Sequence, residues 1–158
     1  MKKIISSIFL VLISAITSAV ATERFCSKAT KKAQEMSDKH LALFLLMNQW
    51  VLVKQEGKNL KDYFNKNGYK TIAIYGMSYA GERLLRELEG SDVTIKYGID
   101  KKADVIYSDI EVISVDEDLE DVDVIVVTPI FFFNEIEEVL SKKIDCPIIS
   151  LEDILYDV

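Results

Sequence analysis

From Thr71 onward, apolar residues come in short runs that alternate with mixed, amphipathic stretches. The runs are four to seven residues long and rich in Val and Ile, which marks them as strands. They predict β-strands at Thr71–Tyr75, Val93–Ile99, Glu111–Ser114, Asp123–Thr128 and Pro147–Ser150. The intervening stretches predict helices at Ala80–Leu88 and Phe132–Ser141, and a last turn at Glu152–Tyr156. The run "VDVIVVT" is apolar almost without alternation, as expected of a parallel strand buried on both faces. Strand–helix alternation of this kind predicts a doubly wound α/β sheet of about five strands, in the order 3-2-1-4-5. Only ten residues separate Asp100 from Glu111, too few for a crossover helix with its turns. "VDEDLEDV" after the third strand leaves room for about two helical turns. The expectation is a reduced version of the doubly wound, Rossmann-like fold, preceded by N-terminal helices.

The first part of the chain reads differently. No Gly or Pro occurs from Asp38 to Glu56, Ser37 can serve as an N-cap and Gly57 as the stop. Within that helix Leu41–Val53 is nearly all apolar, with Phe44, Leu45, Met47, Trp50 and Val51 prominent. A helix apolar on every side must be covered on more than one. Packing on the α/β body is one cover, and a homodimer interface, favoured by Trp and Met, is the other. A shorter helix is expected at Leu60–Lys66, with Asn59 as N-cap and Asn67-Gly68 as stop.

Still earlier, Ile4–Ala21 is an uncharged run of 18 residues preceded by two lysines and ending Ala19-Val20-Ala21. That is the pattern of a signal peptide, or of a short membrane anchor. The natural division is therefore 1–21 as signal or anchor, 22–68 as a helical segment and 69–158 as the Rossmann-like domain. Charge separates these parts. Residues 1–40 hold seven Lys/Arg against three acids, a net +4, and residues 41–158 hold 12 against 23, a net −11. The acidic body argues against nucleic acid as a partner. The basic cluster Arg24, Lys28, Lys31, Lys32 and Lys39 follows the apolar run, so the positive-inside tendency keeps the body cytoplasmic and membrane-associated. Cleavage near Ala21 with export is the alternative, and a first helix packed on a partner is a third.

Candidate chemistry concentrates at "AIYGMSYAGERLL". Gly76 follows the first strand and can make the tight turn, and Gly81 lies where helix and strand must approach closely. The helix N-terminus offers unpaired N–H groups and partial positive charge to a phosphate. Ser78 stands where the G-x-G-x-x-G pattern has its middle glycine; its hydroxyl can itself donate to a phosphate oxygen. Asp100 closes the second strand 24 residues after Gly76, the place of the acid that holds adenosine ribose. Thr128-Pro129 follows the fourth strand and borders the crevice where the strand order reverses. The candidate cofactor-binding set is Gly76, Met77, Ser78, Tyr79, Ala80, Gly81, Asp100, Lys101, Thr128 and Pro129. The cofactor would be NAD, or NADP with Lys101 and Lys102 receiving a 2′-phosphate. Phe131, Phe132 and Phe133 could wall a pocket, although core is the better expectation for at least two.

Several chemistries are excluded. His40 is the only histidine, and Cys26 and Cys146 are the only cysteines, 120 residues apart, so a Cys/His zinc site cannot be built within one chain. A Ser-His-Asp triad would need His40, far from the candidate pocket. Tyr97-Gly-Ile-Asp-Lys101 fits the Tyr-x-x-x-Lys string, but on a strand end and turn the two side chains would not stack. No other acid–base pair is legible.

The stretches "IAIYGMSYAGERLLREL", "IKYGID", "VDVIVVTPIFFFNEIEEVL" and "CPIISLEDIL" resemble the Rossmann-like NAD(P)-binding domains of bacterial polysaccharide-biosynthesis proteins, including the N-terminal regions of nucleoside-diphosphate-sugar epimerases and dehydratases. The resemblance covers roughly Leu60–Val158. It implies dinucleotide or sugar-nucleotide binding in capsule, O-antigen or cell-wall synthesis, with polysaccharide-biosynthesis enzymes as partners. Gly76, Gly81 and Asp100 match its ligand-contacting positions, and Ser78 departs where many members carry Gly. The expected function is that of a nucleotide-binding accessory without a complete catalytic site of its own. The alternatives are an empty Rossmann shell that dimerises or recruits a partner through helix 38–56, and a subunit of an epimerase or dehydratase.

Overall fold

A computed structural model describes the backbone of residues 2–158 and the side chains from Cys26 onward. The apolar run 4–21 therefore lies outside the residues whose side chains are described. Two compact units are present, residues 1–41 and Ala42–Val158. The elements run α1 (Lys2–Gln55), α2 (Leu60–Asn67), β1 (Thr71–Tyr75), α3 (Tyr79–Leu88), β2 (Thr94–Ile99), β3 (Val112–Ile113), β4 (Val124–Val127), α4 (Phe133–Leu140), β5 (Ile148–Ser150) and α5 (Leu151–Asp157).

The expected helix start at Ser37 is not found, because α1 passes through it without a break. No Gly or Pro interrupts residues 2–56, and across this turn Gln34 Nε2 donates to Asp38 Oδ1 at 2.8 Å, an i,i+4 pair that favours helix. The stop at Gly57 does occur. Gly57 is left-handed at φ 74°, its N–H bonds the Lys54 carbonyl and that of Lys58 bonds the Val53 carbonyl. This doubly bonded ending satisfies two carbonyls the helix would leave open.

The sheet is all parallel, in the order β3-β2-β1-β4-β5. Side chains alternate between its faces, as strand geometry requires. Ile72, Ile74, Val124 and Val126 point to one layer, where they meet Leu46, Trp50 and Val53 of α1, Leu60 and Phe64 of α2, Leu84 and Leu88 of α3, and Leu151 and Ile154 of α5. Ala73, Tyr75, Tyr97, Ile99, Ile125 and Val127 point to the other, where α4 supplies Ile136 and Leu140. That second layer is thin. A three-residue 3-10 turn, Ala103–Val105, stands in the β2–β3 connection, and no helix stands between β3 and β4. Val122, Leu119 and Val115 of the latter connection cover the sheet instead.

Candidate functional site

The C-terminal ends of β1, β2 and β4 converge on one loop. Gly76 leaves β1 at φ 93°, a conformation that L side chains rarely adopt. A Cβ there would meet Pro129 Cδ at 2.6 Å and Thr128 Oγ1 at 2.8 Å, so the β4 loop is packed directly against this glycine. Thr128 holds the contact from the other side: its buried hydroxyl donates to the Gly76 carbonyl at 2.7 Å. A Cβ on Gly81 would collide with the same carbonyl oxygen. The first turn of α3 therefore lies directly on the β1 turn, as the third glycine of a dinucleotide motif permits.

Asp100 joins the loop from β2. Its Oδ2 accepts the Met77 N–H at 3.0 Å and its Oδ1 accepts the Lys102 N–H at 2.9 Å. The carboxylate thus fixes both the turn after β1 and the turn after β2. Burial, and then the Asp100 charge, raise the Tyr75 phenol above its ordinary pKa. Met77 is buried beneath the loop, and a Cβ on Gly98 would meet its Cγ at 2.7 Å. Gly98 has no role in the sequence-based expectation. The available signal was a glycine inside a strand, which marks close approach by another group, but nothing local said which group approaches.

The ten expected residues divide into two sets. Gly76, Met77, Ala80, Gly81 and Thr128 are buried and build the loop. Pro129 packs on Gly76, and Asp100 ties the loop to β2. Ser78, Tyr79 and Lys101 are exposed around it. Ser78 holds the N-cap position of α3 in extended backbone, with no cap hydrogen bond from its side chain. The first N–H groups of α3 have no acceptor within the helix. Chemically, this edge can hold an anion on backbone N–H groups and a hydroxyl, with a lysine nearby.

Of the three phenylalanines, Phe132 and Phe133 pack on the second core layer, and Phe131 is more exposed and meets Phe132 edge to face at 5.3 Å. Among the described residues, no group of three His, Cys, Asp or Glu is disposed to hold a metal ion, and no helix is long and apolar enough to cross a membrane.

Strand order, parallel pairing and the glycine turn at the point where the order reverses define a Rossmann-like α/β domain with a five-stranded sheet. Compared with known proteins, the chain matches no family model, no curated protein and no solved structure.

Proposed function

We propose that the Ala42–Val158 unit binds a nucleotide-type ligand, NAD(P) or a nucleotide sugar, across the C-terminal edge of β1. One observation carries this reading: Gly76, Asp100 and Thr128, from three strands, are locked into one loop at the switch point. Ligands of open α/β sheets bind at such a point. The chain's own residues fit a phosphate. The α3 N-terminus and the Ser78 hydroxyl would hold it, the outer lone pairs of Asp100 would accept ribose hydroxyls, and Lys101 would accept a 2′-phosphate if the ligand is NADP. The role we read from them is that of a binding accessory without a complete catalytic site of its own. The resemblance to polysaccharide-biosynthesis domains sets this role in the synthesis of surface polysaccharide, beside the enzymes of that process.

Calorimetry with NAD, NADP, nucleotide sugars and coenzyme A tests the binding. Saturable heat is expected for one of them. Asp100→Ala should weaken it by roughly 1.5–3 kcal/mol, about 10- to 150-fold in Kd. Ser78→Gly then separates two roles: weaker binding means that the hydroxyl donates to phosphate, and tighter binding means that its Cβ obstructs. Absence of saturation for every nucleotide, in both proteins, would reject the proposal. For location, the reading is a membrane-associated protein with a cytoplasmic body that retains residues 1–21. N-terminal sequencing that finds Thr22 first would overturn it in favour of export.

A further inference from the structure

The part of α1 inside the Ala42–Val158 unit has two apolar faces. Leu46, Trp50 and Val53 point into the domain core. On the opposite side Phe44, Leu45, Val51 and Leu52 are exposed, Phe44 by 66%. At 100° per residue these four span an arc of about 120°. Phe44 and Val51 are seven residues apart, as are Leu45 and Leu52, and Asn48 and Gln55 repeat with the same spacing along the middle of the arc. In heptad letters Asn48 and Gln55 take a, Phe44 and Val51 d, and Leu45 and Leu52 e, so a polar row runs between two apolar ones.

We propose that this face is covered by a second copy of the chain, with the two α1 helices parallel and in register about Asn48. A polar Asn at an a position costs stability unless it meets its own counterpart, and a parallel, in-register pair supplies that counterpart. An antiparallel pair would set Asn48 against a d-position apolar residue. The four apolar side chains expose on the order of 400 Å², about half of what each partner gives to a standard interface of ~800 Å². Asn48 and Gln55 in the middle of the arc, and Met47 beside it, add to this area. The domain core packs on the reverse of the helix, so the two domains face away from each other and do not collide. A lipid surface is the poorer occupant. Interfacial helices flank their apolar face with Lys and Arg, whereas Ala42–Gln55 contains Lys54 alone, and it is already bound to Glu87 and Asn59.

The test uses the full-length chain with Cys26→Ser and Cys146→Ser as background. Diamide oxidation of Asn48→Cys should give a reducible homodimer, and the same treatment of Glu89→Cys, exposed on the far end of α3, should not. Val51→Glu added to Asn48→Cys should abolish the cross-link, and on its own should weaken the dimer by roughly 100-fold or more in sedimentation, since it sets like charges against each other. Val51 is exposed within the protomer, so the melting temperature of that variant diluted to monomer should match the wild type diluted likewise. Should Val51→Glu misfold, Asn48→Asp makes the same test at an exposed polar site. The proposal is overturned by no cross-link at position 48, by one that survives Val51→Glu, or by a dimer that sediments unchanged in both Val51→Glu and Asn48→Asp. It is overturned equally if the protein sediments as a monomer while Val51→Glu or Asn48→Asp releases it from phosphatidylcholine–phosphatidylglycerol vesicles.

Discussion

At the scale of single residues, the informative positions are those whose neighbours leave no freedom. Gly81 rests against the Gly76 carbonyl oxygen. Adding one methyl there forces α3 away from β1, and overpacking of this kind costs typically 1–3 kcal/mol. Gly81→Ala should lower the melting temperature by several degrees even without ligand, and ligand affinity should fall with it. Tyr97 is constrained by burial. Its hydroxyl donates to the Glu120 carbonyl at 2.6 Å. Burial first, then the charges of Cys146, Glu120 and Asp121, push its pKa up to about 12. A folded state that holds this proton more tightly than the unfolded chain is fully supported below pH 10, and it loses that support as pH rises from 10 towards 12. Tyr97→Phe should cost about 1 kcal/mol at neutral pH, the usual value of one hydrogen bond. It should also flatten the loss of stability in alkaline melts. Gly76 and Gly81 could be read from the sequence because strand, glycine and helix lie within a few residues of one another. Gly98 could not, since the side chain it admits, Met77, is 21 residues away.

Among the elements, the join between α1, α2 and α3 runs through Glu87. Its Oε2 accepts the Trp50 indole N–H at 2.6 Å, and its Oε1 accepts Lys54 Nζ at 2.9 Å and the Leu60 N–H at 3.0 Å. The last of these is the work of an N-cap. Asn59 does occupy the cap position of α2, as its type and place predict, but its side chain makes no cap bond and instead accepts from Lys54 Nζ. A residue from another helix has taken over the cap, and no local pattern in the sequence can show that. Glu87→Ala leaves a half-buried indole N–H and a helix-start N–H without acceptors. It should destabilise by about 2–4 kcal/mol, measured by urea unfolding. Glu87→Gln keeps one acceptor oxygen and should lose distinctly less. The length of α1 is hidden from local sequence patterns for a related reason. Ser37-Asp38 is a good cap sequence, yet Asp38 accepts from Gln34 one turn back and the helix runs on through both residues.

For the whole molecule, the strand order was legible because Val/Ile runs such as "VIVV" of β4 leave no doubt about which strands are central. The registration of β4 on β1 was less so. Asp123 sets it: its Oδ2 accepts the Lys70 and Thr71 N–H groups, both at 2.7 Å. These bonds, led by Thr71, hold its carboxyl below the ordinary 3.8. A depressed carboxyl pKa contributes stability above that ordinary value, and the contribution is lost as pH falls below it. Asp123→Asn should therefore lower the melting temperature at pH 7 and reduce the further loss between pH 4 and 2. The ligand edge was legible only as a set of positions. That Thr128 and Asp100 spend hydrogen bonds on the loop itself follows from contacts made 23 to 52 residues apart.

The two outer strands have a consequence for how this protein fails. β3 contributes two residues and β5 three, so a foreign strand laid along either edge would find only a short row of backbone groups. Templated fibre growth needs a longer one. Overheated or crowded samples should therefore clump through loosened helices, in amorphous and dye-negative form, unless β1 and β4 are first torn out of the middle of the sheet.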